Sequence, residues 1–169
     1  MKPLAKIFFA SIFLVFVSAC ERKSCNNVVC PANQSCFNGQ CYCADGLEGT
    51  NCQTYSYTKY VDNNRSWYVN ESCSGASSNF PSYTCFFTQY SSNPSEIQIN
   101  NFLGGNCTAY AYIRTDQSNQ GNIIDIPSQN CGGITVSGQG TYYSNNHRII
   151  FQLNYTFNFA SYSCTHTFY

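Results

Sequence analysis

Charge is the first thing this chain lacks. It carries 8 Lys/Arg and 8 Asp/Glu among 169 residues, 9% in all, with a formal net charge of zero. No basic stripe exists to follow a phosphate backbone, so nucleic acid is not expected as a partner. Histidine is nearly absent, with only His147 and His166. A catalytic zinc needs three protein ligands and an open position, and Cys164-x-His166 is no zinc motif, so neither a metal nor a cofactor is expected. His147 follows the Asn145-Asn146 turn and reads as solvated. No Gly-x-Ser-x-Gly elbow, His-Glu-x-x-His pair or phosphate loop appears, which removes the familiar enzyme signatures. No apolar run reaches the ~20 residues of a membrane-crossing helix.

The chain does have an export signal. Lys2 and Lys6 precede an apolar run from Ile7 to Val17, which ends in Val17-Ser18-Ala19-Cys20. Charged, apolar and small-residue regions in that order form a secretory signal. A cysteine at the boundary resembles the lipobox of bacterial lipoproteins. That resemblance implies cleavage after residue 19, lipidation of Cys20, residues 20–24 as a lipidated linker, and attachment to the membrane through several acyl chains. An ordinary signal peptide cut near Ala19 is the alternative. Glu21 after Cys20 does not resemble the inner-membrane retention signal of enteric lipoproteins. The expected place is therefore the outer membrane, on its periplasmic face or at the cell surface. Cleavage removes two lysines and leaves a formal charge near −2.

Twelve cysteines in an exported chain read as a disulfide framework. Six lie between Cys25 and Cys52, spaced Cys25-x4-Cys30-x5-Cys36-x4-Cys41-x-Cys43-x8-Cys52. This resembles an EGF-like domain, most closely in the tail, where Gly46 and Gly49 supply the sharp turns of a disulfide-closed loop. The resemblance implies the pairs Cys25–Cys36, Cys30–Cys41 and Cys43–Cys52; spacing alone leaves the pairing open. A module of residues 25–52 cannot bury an adequate core and depends on such bridges. Calcium-binding members of that family place acidic and amide oxygens before the first cysteine. Here Glu21-Arg22-Lys23-Ser24 sets two cations there, against a calcium site. The module reads as a rigid spacer.

From residue 55 to 169 the composition shifts to Tyr, Phe, Ser, Asn, Thr and Gly, favouring strand over helix. Ile149, Phe151, Leu153, Tyr155 and Phe157 alternate with Gln152, Asn154, Thr156 and Asn158, the period-two pattern of half-buried antiparallel sheet. Turn residues at Asn63-Asn64, Asn93-Pro94, Gly104-Gly105, Gly132-Gly133 and Asn145-Asn146 divide the region. They predict strands at 66–73, 82–90, 95–102, 107–114, 122–126, 133–143, 147–157 and 161–168. The fold class is mainly β, a small disulfide-rich module followed by an antiparallel β-barrel or β-sandwich. Ile-Pro-Ser-Gln at 126–129, Gly138-x-Gly140-Thr141, Tyr155 and Ser163-Cys164 diffusely resemble bacterial lipoprotein domains with lipocalin-like barrels. Strand phase places Cys85 on an apolar face as a buried free thiol. Bridging Cys73 to Cys164 ties the ends of the domain and closes its largest loop; Cys107 and Cys131 border Gly-rich turns and form the next candidate pair.

A glycosidase needs two carboxylates facing one groove. Asp62, Glu71, Glu96, Asp116 and Asp125 show no such spacing, and they read as solvated surface groups. Thirteen of the 14 tyrosines lie beyond residue 54, with Trp67. Tyr110 and Tyr112 share a strand face, while Tyr142 and Tyr143 point to opposite faces. Exposed aromatics beside amides stack on sugar rings or anchor protein partners, although most belong to core or ordinary strand surface. Sequons at Asn33, Asn64, Asn70, Asn106 and Asn154 matter only on a eukaryotic secretory route. The expected function is a non-enzymatic binding or structural lipoprotein with a glycan, apolar-ligand or protein partner. The alternatives are a small hydrolase using a pair such as Glu71 and Asp125, or a lipocalin-like carrier of an apolar ligand.

Overall fold

The computed structural model describes residues 24–61, 65–74, 81–105 and 107–169. The signal segment, the lipidation candidate Cys20, Asp62, the Asn63-Asn64 turn and Asn106 lie outside the described residues.

The N-terminal module is two small hairpins. Strands β1 (Gln34–Phe37) and β2 (Gln40–Cys43) pair around Asn38-Gly39, both with positive φ, the conformation a two-residue hairpin turn demands. Strands β3 (Leu47–Glu48) and β4 (Thr54–Tyr55) follow, so the module's own pairing runs through Tyr55. Bridges join Cys25 to Cys36, Cys30 to Cys41 and Cys43 to Cys52. The module's core is only Cys43, Leu47 and Cys52, with Ala44 packed against them. With so little apolar burial, the bridges carry the fold.

A four-residue helix, α1 (Thr58–Val61), leads into eight antiparallel strands that close into a barrel. They are β5 (Ser66–Ser74), β6 (Tyr83–Gln89), β7 (Glu96–Phe102), β8 (Cys107–Arg114), β9 (Ile123–Cys131), β10 (Ile134–Tyr143), β11 (Arg148–Phe157) and β12 (Ala160–Phe168). Each pairs with the next, and β12 returns to β5. The open choice between barrel and sandwich therefore resolves to a barrel. One strand differs clearly from expectation: β9 continues past Ile126 to Cys131. Pro127 cannot donate to a ladder, and β9 rejoins β10 beyond a register shift at Val136/Gly138.

An eight-stranded barrel has an interior just wide enough for side chains to fill. Trp67, Phe87, Phe102, Phe151 and Phe168 occupy it, each at most 2% exposed, and Tyr60 of α1 closes one end. The Tyr60 hydroxyl donates to the Gly121 carbonyl, and Trp67 Nε1 donates to the Tyr60 carbonyl at 3.1 Å. At Gly140 a Cβ would sit 2.5 Å from the Phe151 ring, so glycine there is what admits the phenylalanine. The outward face of β11 carries Gln152, Asn154 and Thr156, the reverse of a lipid-facing barrel wall.

The module is docked on the α1 end of the barrel. Cys43 N donates to Asn119 Oδ1 at 2.9 Å and Gly49 N to Asn119 O at 3.0 Å. Thr115 donates its N–H to Asp45 Oδ1 at 3.0 Å and its hydroxyl to Leu47 O at 2.8 Å. Glu48 accepts from Lys59 Nζ at 2.5 Å and from Gly121 N at 3.1 Å. Gly46 has φ +81°, and a Cβ there would lie 2.4 Å from the Pro94 and Ser95 backbone. Asp116 organises the receiving loop. Partial burial pushes its carboxyl up, but the Ser118 hydroxyl, the Gln120 and Ser118 amides and the Asn122 side chain outweigh this and hold it below the usual range.

Both barrel bridges sit at the opposite end. Cys73 joins Cys164 across the closing β12–β5 ladder, and Cys107 joins Cys131. Cys85 is free and 1% exposed, and burial pushes its thiol well above its ordinary range. A Cys20→Ser chain should therefore resist iodoacetamide in native buffer and take up one label in denaturant, read by intact mass. Labelling in native buffer would put Cys85 outside the core.

Candidate functional site

Among the described residues, two places bring chemically capable side chains together. The first is on the outer wall, where β8 and β9 part. Their ladder holds only three pairs, Tyr112 with Asp125, Ile113 with Ile124 and Arg114 with Ile123. Extending that register by two residues sets Tyr110 opposite Pro127, which has no N–H to give. The Gln129 side chain takes over: its Oε1 accepts from Tyr110 N at 2.9 Å, and its Nε2 donates to Tyr110 O at 2.8 Å and Pro127 O at 3.2 Å. The Cys107–Cys131 bond joins the strands at the far side of the gap.

The gap leaves a groove of about 300 Å³, lined chiefly by Tyr90, Glu96, Tyr110, Tyr112, Pro127 and Gln129. The Tyr90 and Tyr110 rings meet at 70°, with centroids 4.7 Å apart, and each ring is about half exposed. Tyr112 stands directly across from Glu96 in the β7–β8 ladder. The Glu96 carboxylate is fixed at the rim by the Ser91 hydroxyl at 2.7 Å and Asn93 Nδ2 at 3.1 Å.

The second place is inside the barrel, beside the Cys73–Cys164 bridge. His166 is fully buried. Its Nδ1 is 3.1 Å from the Tyr83 hydroxyl, its Nε2 meets the Tyr155 hydroxyl, and the same Nε2 lies 3.4 Å from Glu71 Oε2. Glu71 has only 3% of its side chain exposed, so it is not the solvated carboxylate expected from sequence; strand phase turns it inward. Burial first, then the neighbouring Glu71 charge, raises the Tyr155 hydroxyl; burial, with a smaller push from Glu71, raises that of Tyr83 against a Leu103 backbone hydrogen bond. Both remain neutral. Glu71 Oε1 lies 2.8 Å from Cys73 Sγ, but a bridged sulfur has no proton to donate, so this is a packing contact against the disulfide. Glu71, Cys73 and Cys164 hold three donor atoms within 4.8 Å, yet the metal-binding form of cysteine is the thiolate, which the bridge removes.

The other candidates scatter. Asp125 faces outward, paired with Arg114 and accepting from Gln139 Nε2 at 2.8 Å. It stands on the opposite face of the barrel wall from Glu71, and the two share no groove. Asp116 belongs to the docking loop. His147 is exposed, with Nδ1 3.0 Å from the Tyr142 hydroxyl. Tyr142 is buried and Tyr143 exposed, as their opposite phases require. Sequence reasoning paired Tyr110 with Tyr112 but missed Tyr90, Pro127 and Gln129 as their neighbours. No protein-family model, curated protein or solved structure matches this chain.

Proposed function

We propose that this chain is an exported, lipid-anchored, non-enzymatic binding protein. In this reading the signal is removed before Cys20, and Cys20 carries the lipid. Residues 25–52 form an EGF-like module, and the barrel offers its outer wall to a ligand outside the cytoplasm, on the outer membrane. The single observation that carries the binding role is the ligand-sized concavity on the outside of a barrel whose interior is filled with aromatic side chains. A filled interior favours wall binding over lipocalin-like carriage, and Glu71 and Asp125 on opposite faces weigh against a paired-carboxylate hydrolase. Five bridges among the described residues suit an oxidising compartment. The docked module acts as a cap that fixes the barrel's orientation at the tether.

Anchoring is tested by Cys20→Ser. The parent should incorporate an alkynyl fatty acid and enter the detergent phase; the variant should do neither and appear in the soluble fraction. A variant that stays labelled and membrane-bound would mean that Cys20 is not the lipid attachment site.

A further inference from the structure

We propose that the groove between Tyr90 and Pro127 is a saccharide subsite that takes a neutral pyranose unit of a glycan. The proposal rests on the reading that the outer wall is the ligand-binding surface, and it names the ligand class. A pyranose ring offers two apolar C–H faces and a rim of hydroxyls. It therefore needs flat apolar plates with fixed hydrogen-bonding groups beside them.

The groove has both. Tyr90 and Tyr110, near perpendicular at 4.7 Å, make a corner that meets a ring on one face and one edge. Tyr110 is held from behind, since Gln129 clasps its backbone at N and O. Glu96 is held by Ser91 and Asn93, yet a carboxylate offers about four acceptor positions, so it retains capacity for ligand hydroxyls. These groups are ordered before the ligand arrives, which lowers the entropic cost of binding. Charge selects the ligand further: among the described residues that line the groove, Glu96 alone is charged, so sulfated, uronic and phosphorylated ligands meet a like charge there. Size suits a small ligand: about 300 Å³ lies at the lower end of small-molecule sites and accommodates one or two sugar rings.

The test uses full-length protein in detergent, run by affinity electrophoresis through xylan, β-1,3-glucan, galactomannan and chitosan-free glycol chitin, with alginate and heparin as acidic probes. Retardation is expected from at least one neutral polymer and from neither acidic one. Tyr110→Ala should weaken it roughly tenfold, and Tyr110→Phe should keep it within about threefold, since the ring face carries the contact. Tyr143→Ala, on exposed strand surface outside the groove, should change nothing. Tyr90→Ala, in the loop after β6, repeats the test if Tyr110→Ala misfolds. Retardation by no neutral polymer, by acidic polymers alone, or undiminished in both alanine variants overturns the proposal. A protein captured by the parent and lost in Tyr110→Ala would overturn the saccharide while keeping the groove. Membrane partition measured on the same preparations reads the anchoring separately.

Discussion

Cys73→Ser, or Cys164→Ser, should lower the barrel's unfolding free energy by about 4–5 kcal/mol, the loop-closure value for a bridge spanning 91 residues. Such a loss is a large share of a domain's usual ~5–15 kcal/mol, from about a third to nearly all of it. The bond lies within the β12–β5 ladder that turns a meander into a barrel, so its removal weakens the one pairing that joins the two ends of the domain in space. Opening Cys107–Cys131, separated by 24 residues, should cost less, about 3–4 kcal/mol on the same model. Cys85→Ser should cost on the order of 1–3 kcal/mol, the charge for a polar atom in a packed apolar site. Urea titrations followed by near-ultraviolet circular dichroism rank the three. If Cys85→Ser proves the most damaging, or Cys73→Ser leaves the midpoint unmoved, the barrel does not depend on its closing bridge.

His166→Ala should destabilise by about 3–5 kcal/mol, the typical cost of removing one partner of a buried pair. It strands Glu71 at 3% exposure and leaves the Tyr83 and Tyr155 hydroxyls without their shared partner. Glu71→Leu combined with His166→Leu should be milder than His166→Ala, because it removes the stranded carboxylate, even though the Tyr83 and Tyr155 hydroxyls still lose their shared partner. Equal or greater loss in the double variant would show that packing volume, not the polar contact, matters here. The measurement is again a denaturant midpoint, with the slope checked for constancy so that the shift reads as stability.

How much of this was legible depended on distance along the chain. All eight barrel strands could be placed from turn residues and local alternation, with β9 cut short at Ile126, because each residue's side follows from its neighbour's. Closure could not, since it rests on β5 and β12, which no local pattern links. Cysteine phase gave a partial substitute. Once Cys73 faces Cys164 in an antiparallel ladder, Glu71 must face His166 two residues away, and the buried cluster follows from the bridge. That step was available from sequence, yet composition argued the other way, since a glutamate in a polar strand is ordinarily solvated. The groove was not available. It arises from hydrogen bonds that β8 and β9 do not form, and the alternating pattern of Ile123 to Cys131 is silent about which neighbour a strand will keep. Pro127, just beyond the predicted strand at 122–126, carried a hint, since it has no N–H for the neighbouring strand.

The same parting bears on how copies of this chain behave towards one another. A closed barrel offers no unpaired strand to act as a template for another chain, but a gap in its wall restores one. Here the Tyr110 N–H and C=O, the groups an incoming strand would seize, are already satisfied by the Gln129 amide. Pro127 presents no donor for such a strand to extend along. The Cys107–Cys131 bond keeps β8 and β9 from spreading further. The wall thus leaves a concavity while the Tyr110 edge groups stay occupied, and Gln129 is the residue that occupies them.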